Sequence, residues 1–112
     1  AARRRAENRP CYASAGKMAK RFEWDSRKAT SNLRRHGVSF VEAVGVFADP
    51  LARIFDDEDH GIRERREIIV GHSRQSRLLL ICFVERGDII RIITARKVTK
   101  NERKDYEEGV TP

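Results

Sequence analysis

The chain has 112 residues, 39% hydrophobic and 37% charged, with a formal net charge of +7; that allows one compact domain with a modest core and leaves no room for a second. No apolar run approaches the roughly 18 to 20 residues of a membrane-spanning helix, and two cysteines, Cys11 and Cys82, supply neither a disulfide framework nor metal-ligand spacing. The excess of cations favours a polyanionic partner, and the cysteine usage a reducing, cytoplasmic setting.

Residues 1–17 hold Arg3, Arg4, Arg5, Arg9 and Lys17 against Glu7 alone, and so carry a surplus of four of the seven positive charges. They show no apolar periodicity, and the chain's single methionine, Met18, follows them directly. They read as a tag remnant or upstream extension, with one domain over 18–112; a basic nucleic-acid-binding arm is the alternative.

"RFEWD" is a short strand ending at Asp25, which can cap the helix "SRKATSNLRRH" before Gly37 stops it. Ala29 and Leu33 share the apolar face of that helix, and its other faces are basic. "VSFVEAVGVFADP" places Ser39 three residues before Glu42, a capping box, with Phe40, Ala43, Val44 and Phe47 as the buried stripe.

Four strands follow in "LARIFD", "REIIVGH", "RLLLICFVE" and "IIRIITARKV", the last two joined by the tight turn Gly87-Asp88. Nearly continuous apolar runs mark central strands covered on parts of both faces. The final segment, "TKNERKDYEEG", repeats the capping-box spacing with Thr99 and Glu102, and Gly109 suits its stop. Only Tyr106 is strongly apolar there, so this helix reads as loosely attached or awaiting a partner. The expected class is α+β in the order βααββββα, a curved, mainly antiparallel sheet with helices on one face.

The last strand poses the functional question, because Arg91, Arg96 and Lys97 interrupt an apolar run. Strict alternation puts Arg91 with Lys97 on one face and Arg96 with Thr94 on the other unless a bulge intervenes. An arginine in a central strand needs water, a carboxylate or an anionic ligand, so Arg91 either pairs with Glu85, Glu67 or Glu23 or faces a cleft.

"FEWDSRKATSNLRRHGVSFVEAVGVFADP", the Gly71 strand end and "RLLLICFVERGDIIRIITARKVTKNERKDYEE", in that order, resemble the BrnT family of bacterial type II toxins across residues 22–108. The resemblance implies a RelE-like ribonuclease fold and cleavage of RNA that halts translation. It also implies neutralisation by a BrnA-type antitoxin with a ribbon-helix-helix DNA-binding part. Operator DNA would then be reached only through the antitoxin, with a toxin–antitoxin heterotetramer as one possible assembly.

Metal-free RNA cleavage uses the ribose 2′-OH as nucleophile, so the protein positions the backbone, stabilises a phosphorane-like transition state and assists proton transfer. Arginine suits this because its planar fork binds phosphate oxygens bidentately. The catalytic candidates are Arg66, Arg77, Arg91 and Arg96, which match recurrent family positions, with Lys97, Arg74 and Thr94 as RNA contacts and no cofactor or metal. No residue matches a single family base. His72 is the acid–base candidate, since an imidazole changes charge near neutral pH, and its competing reading is a plain surface residue.

The acidic run Asp56, Asp57, Glu58 and Asp59 lacks spaced partners on strands and reads as solvated rather than metal-binding. Trp24 reads as packing rather than base stacking, Cys82 as a small core residue, and His36 as a neighbour of its helix's C-terminal carbonyls. Two non-enzymatic readings stay open: a nucleic-acid-binding module without catalysis, and a protein-interaction module. Against a helix-turn-helix over residues 26–47, Phe40, Val44 and Phe47 leave the second helix little polar surface.

Overall fold

The computed structural model describes residues 20–57 and 65–109; the basic tail with Cys11, Met18, and the loop residues Glu58, Asp59 and His60 lie outside them. The elements are β1 (Arg21–Glu23), α1 (Ser26–His36), α2 (Phe40–Val46), β2 (Arg53–Asp56), β3 (Arg66–His72), β4 (Leu78–Arg86), β5 (Ile89–Lys97) and α3 (Lys100–Glu107). The strands form one sheet in the order β1-β5-β4-β3-β2, in which β1 runs parallel to β5 and every other pair is antiparallel. The class is therefore α+β with a mixed sheet. No helix among the described residues is long and apolar enough to cross a membrane.

Local chemistry sets the helix ends. The Asp25 carboxylate accepts from the backbone N–H groups of Arg27 at 2.8 Å and Lys28 at 3.1 Å, and those bonds, the Lys28 amide foremost, lower its pKa. Gly37 ends α1 at φ +68°, its N–H donating to the Leu33 carbonyl, and Gly87 takes φ +56° in the β4–β5 turn. Thr99 and Glu102 form the full capping box of α3. At α2 only half of the expected box forms: the Ser39 hydroxyl accepts from the Glu42 N–H at 3.0 Å, while the Glu42 side chain turns elsewhere.

Glu42, whose side chain is 4% exposed, accepts instead from Arg77 Nε at 2.9 Å, from Arg77 Nη2 and from the Ser73 hydroxyl at 2.7 Å. Arg77 Nη2 also donates to the Gly37 carbonyl at 3.0 Å. This network ties α2 to the β3–β4 loop, and the Arg77 guanidinium is the main cause holding the Glu42 carboxyl below its usual range near 4.5. A depressed pKa gives stability that is complete above that usual value and lost as pH falls through the lower, folded value. Glu42→Ala leaves three donors without their acceptor and is expected to destabilise the fold by roughly 3 kcal/mol at neutral pH, with a smaller deficit in acid. Thermal unfolding of both proteins against pH checks this.

Helices α1 and α2 cover one face of the sheet. Phe40, Ala43, Val46 and Phe47 pack there on Ile69, Leu79, Ile81, Phe83, Ile90 and Ile92. Phe47 meets Phe22 and Phe83 edge-on with ring centroids 5.1 Å apart, and Trp24 meets Phe40 at 5.8 Å, so Trp24 is part of the packing. The expected inward turn of Leu33 is not found: Leu33 is 51% exposed, and its neighbour Asn32 is buried. Strand β1 stops opposite Arg91 and leaves the outer edge of β5 without a strand. The Asn32 amide takes that place, donating to the Ala95 carbonyl at 2.7 Å and accepting from the Ala95 N–H at 3.1 Å. Its remaining donor bond reaches the Val38 carbonyl at 3.0 Å.

The helices do not all lie on one face. On the far side of the sheet Phe55, Ile68, Val70, Leu78 and Leu80 form a second apolar cluster against which Val98 and Tyr106 pack. Despite its polarity, α3 is docked rather than detached. The Tyr106 hydroxyl donates to the Leu51 carbonyl at 3.1 Å, and Arg96 grips Glu102 with two bonds of 2.8 and 2.9 Å.

Candidate active site

The register of β5 answers the question its cations raise. Cys82 faces Thr94, but its neighbour Phe83 faces Ile92, so Ile93 is an extra residue in a bulge. The alternation therefore reverses at Ile93, and strict alternation fails. Arg91, Thr94 and Arg96 share the far face with Cys82 and Leu80, while Ile90, Ile92, Ala95 and Lys97 belong to the helix face.

Following the pairing across to β3 adds Arg66, Ile68, Val70 and His72 to the far face, and β2 adds Arg53 and Phe55. That face thus carries an apolar strip with cations at both ends. At one end Arg66 and Arg91 flank Val84, two strands and about 10 Å apart. At the other end, about 20 Å along β3 from Arg66, stand His72, Arg53, Arg96 and Tyr106. Arg77 belongs to the Glu42 network, Arg74 packs on Gly45 of α2 beside Trp24 and Val44, and Lys97 lies on the helix face. Those three are not brought to the far face.

The His72 end has the more varied chemistry. The ring of Tyr106 lies edge-on to His72 at 5.9 Å, and the Arg53 guanidinium lies 5.8 Å from the same ring. Arg53 has no ion-pair partner among the described residues. The His72 side chain is 44% exposed, and its Nδ1 stands 3.7 Å from Asp49 Oδ2, close enough for an ion pair when the ring is protonated. Asp49 is itself fixed by accepting from the His72 backbone N–H at 2.7 Å and from Leu51 N–H at 2.9 Å.

Gly71 makes this corner possible. A Cβ there would fall 2.5 Å from the Ala52 Cβ and 2.9 Å from Asp49 Oδ2, so only glycine lets the turn after α2 close on the strand end. Gly71→Ala is expected to cost about 1–3 kcal/mol of stability and to move Asp49 from beneath His72. Thermal unfolding measures the first effect, and the NMR shift of the His72 backbone amide, which donates to Asp49, measures the second.

At the other end Arg91 donates to Glu23 through Nη1 alone at 2.9 Å, the pairing foreseen among three possible carboxylates. Arg66 is half-buried with no ion pair among the described residues. Glu102 is held below the usual carboxylate range chiefly by its bonds to Arg96, and the Arg96 pKa is raised in turn by Glu102. Cys82, between the two ends, is buried, and loss of solvent pushes its thiol up to about 11, which makes it unreactive near neutral pH. Asp56, first of the acidic run, is held by Arg65 at 2.7 and 3.2 Å.

Arg53 and Tyr106 are the participants that the sequence pattern does not single out. Arg53 lies in a short strand rich in apolar residues, and Tyr106 is the lone aromatic of a polar helix. The available signal was that lone aromatic, which on a helix of this composition has to bury its ring somewhere specific.

Comparison with known proteins places the molecule. Among solved structures the chain is similar to the Brucella abortus ribonuclease toxin BrnT, with a TM-score of 0.56 at 18% identity over 72% of this chain and 99% of that one; at such identity the likeness speaks for the fold. No curated protein matches the chain. The family described as "Ribonuclease toxin, BrnT, of type II toxin-antitoxin system" matches residues 24–102, well over half of the sequence. The chain accordingly belongs to the BrnT family of type II ribonuclease toxins.

Proposed function

We propose that this protein is a metal-independent endoribonuclease that cuts RNA by attack of the 2′-OH and so inhibits translation, on a fold read as RelE-like. Membership of a type II family implies a protein antitoxin; we take it to be a BrnA-type ribbon-helix-helix protein that carries operator DNA binding, with a heterotetramer as the assembly and the cytoplasm as the setting. The observation that supports the reading is the meeting of a solvent-accessible imidazole, His72, and the Arg53 guanidinium at the Tyr106 ring on the far face of the sheet, with Arg96 on the same face three strands from Arg53.

In this reading Arg53 holds the non-bridging oxygens of the scissile phosphate and stabilises the charge that grows there in the phosphorane-like transition state, while Arg96, bound to Glu102, holds α3 on the sheet and meets the RNA beyond it. His72 takes the proton of the attacking 2′-OH, with the Asp49 carboxylate 3.7 Å from its Nδ1. The leaving 5′-oxygen draws a proton from solvent at this exposed corner. Arg91 and Arg66 hold phosphates further along the strand, with Thr94 between. Arg77, Arg74 and Lys97 contribute to stability and surface charge, not to chemistry.

Incubating the purified protein with single-stranded RNA, with and without EDTA, tests the reading. Cleavage at equal rates, with 2′,3′-cyclic phosphate or the derived 3′-phosphate on the upstream fragment, is expected. Loss of cleavage with EDTA, or 5′-phosphate and 3′-hydroxyl ends, would contradict it. RNA binding without cleavage would favour the non-catalytic module.

A further inference from the structure

Beyond the point where β1 ends, the edge of β5 borders a hollow of about 220 Å³ lined by Lys28, Ser31, Arg35 and His36 of α1 and by Ile93 and Thr94 of the bulge. We infer that this hollow is a phosphate-binding subsite for the RNA strand that flanks the scissile bond, an inference that rests on the ribonuclease reading.

The charge of the hollow is one-sided. Lys28, Arg35 and His36 have no ion-pair partners among the described residues, and no carboxylate lines the cavity. Helix α1 carries no acidic residue at all. The nearest carboxylate in sequence, Asp25, is spent on the backbone amides of Arg27 and Lys28. Ser31 and Thr94 add hydroxyl donors, and Asn32, which also reaches the cavity, is committed to Ala95 and Val38 and so keeps the wall rigid. Two cations, an imidazole and two hydroxyls around a concave space suit a tetrahedral polyanion.

Position argues for RNA over an acidic protein segment. Thr94 lies between Arg91 and Arg96 on β5 and faces the same side of the sheet as both, because of the bulge. A single strand whose phosphates touch those arginines can therefore pass over Thr94 and the sheet edge into the hollow. The half-buried Ile93 at the bulge offers an apolar floor for a sugar or base, as in other single-strand grooves.

The test is the double variant Lys28→Gln/Arg35→Gln of the full chain, with its thermal midpoint compared with the parent's. Binding is read by fluorescence anisotropy with a long, uncleavable 2′-O-methyl RNA over a range of salt, and with a polyglutamate peptide. The expected result is about tenfold weaker RNA binding and a log–log salt slope smaller by roughly 1.4, since each lost phosphate contact on a single strand removes about 0.7. On cleavable RNA the KM should rise with kcat unchanged, and a trinucleotide too short to reach α1 should be cut as before. Unchanged RNA affinity and slope would overturn the inference. So would a loss of polyglutamate binding with RNA binding intact, which would assign the hollow to an acidic protein. A parent protein that binds RNA through these two cations but never cuts it refutes the ribonuclease reading alone. One that cuts while the variant binds unchanged refutes the subsite alone.

Discussion

His72→Gln is expected to lower the single-turnover rate of RNA cleavage by about 10²- to 10⁴-fold, the range that a positioned general base contributes, with the thermal midpoint nearly unchanged. The separation of the two effects follows from the local bonds. The structural link between the strand end and Asp49 is made by the His72 backbone N–H at 2.7 Å, which any residue supplies. The imidazole is 44% exposed, so its removal leaves no cavity in the core. Glutamine keeps polar bulk beside Tyr106 but cannot accept a proton at neutral pH. A His72 that is merely a surface residue would leave the cleavage rate untouched.

Arg53→Lys is expected to reduce cleavage by 10²- to 10³-fold, about 2.7–4 kcal/mol of transition-state stabilisation, because the charge is kept while the bidentate fork is lost. Arg53 has no carboxylate partner among the described residues, so the substitution orphans no buried charge. Arg96→Lys differs in kind. Arg96 is bound twice to Glu102, and losing that fork also loosens α3 from the sheet. Cleavage and thermal stability should therefore fall together for Arg96→Lys and separately for Arg53→Lys. Single-turnover kinetics beside thermal unfolding for both variants distinguishes the two roles.

Features that depend on neighbours in sequence were legible in it: the Asp25 cap, the Gly37 stop, the Thr99–Glu102 capping box and the Gly87 turn each rest on contacts within a few residues. Failures of the sequence reading came from contacts across the fold. Leu33 fits the apolar spacing of α1 better than Asn32, but the bare edge of β5, more than 60 residues away in sequence, rewards the amide. Glu42 had the spacing of a capping residue, and Arg77 with Ser73 outbid the Ser39 backbone for its carboxylate.

The candidate site was half legible for the same reason. His72 and Arg96 drew attention as polar groups in or beside apolar strands, whereas Arg53 and Tyr106 gain meaning only when α3 folds back over β2 and β3. The bulge at Ile93 reversed the facing of everything before it on β5 relative to strict alternation, and nothing in "IIRIITARK" marks it by composition. It turns two arginines that seemed to face apart into residues of one surface.

The most direct measurement is an NMR titration of the protein with an uncleavable single-stranded RNA, following the side-chain signals of His72, Tyr106 and the arginine Nε groups. The largest shifts are expected at His72, Arg53, Arg96 and Tyr106, with smaller ones at Arg91 and Arg66 and none at Arg77. Shifts centred on Arg77, Arg74 and the Trp24 indole, with His72 and Arg53 unmoved, would place the RNA on the helix side of the sheet and contradict the assignment of the catalytic corner.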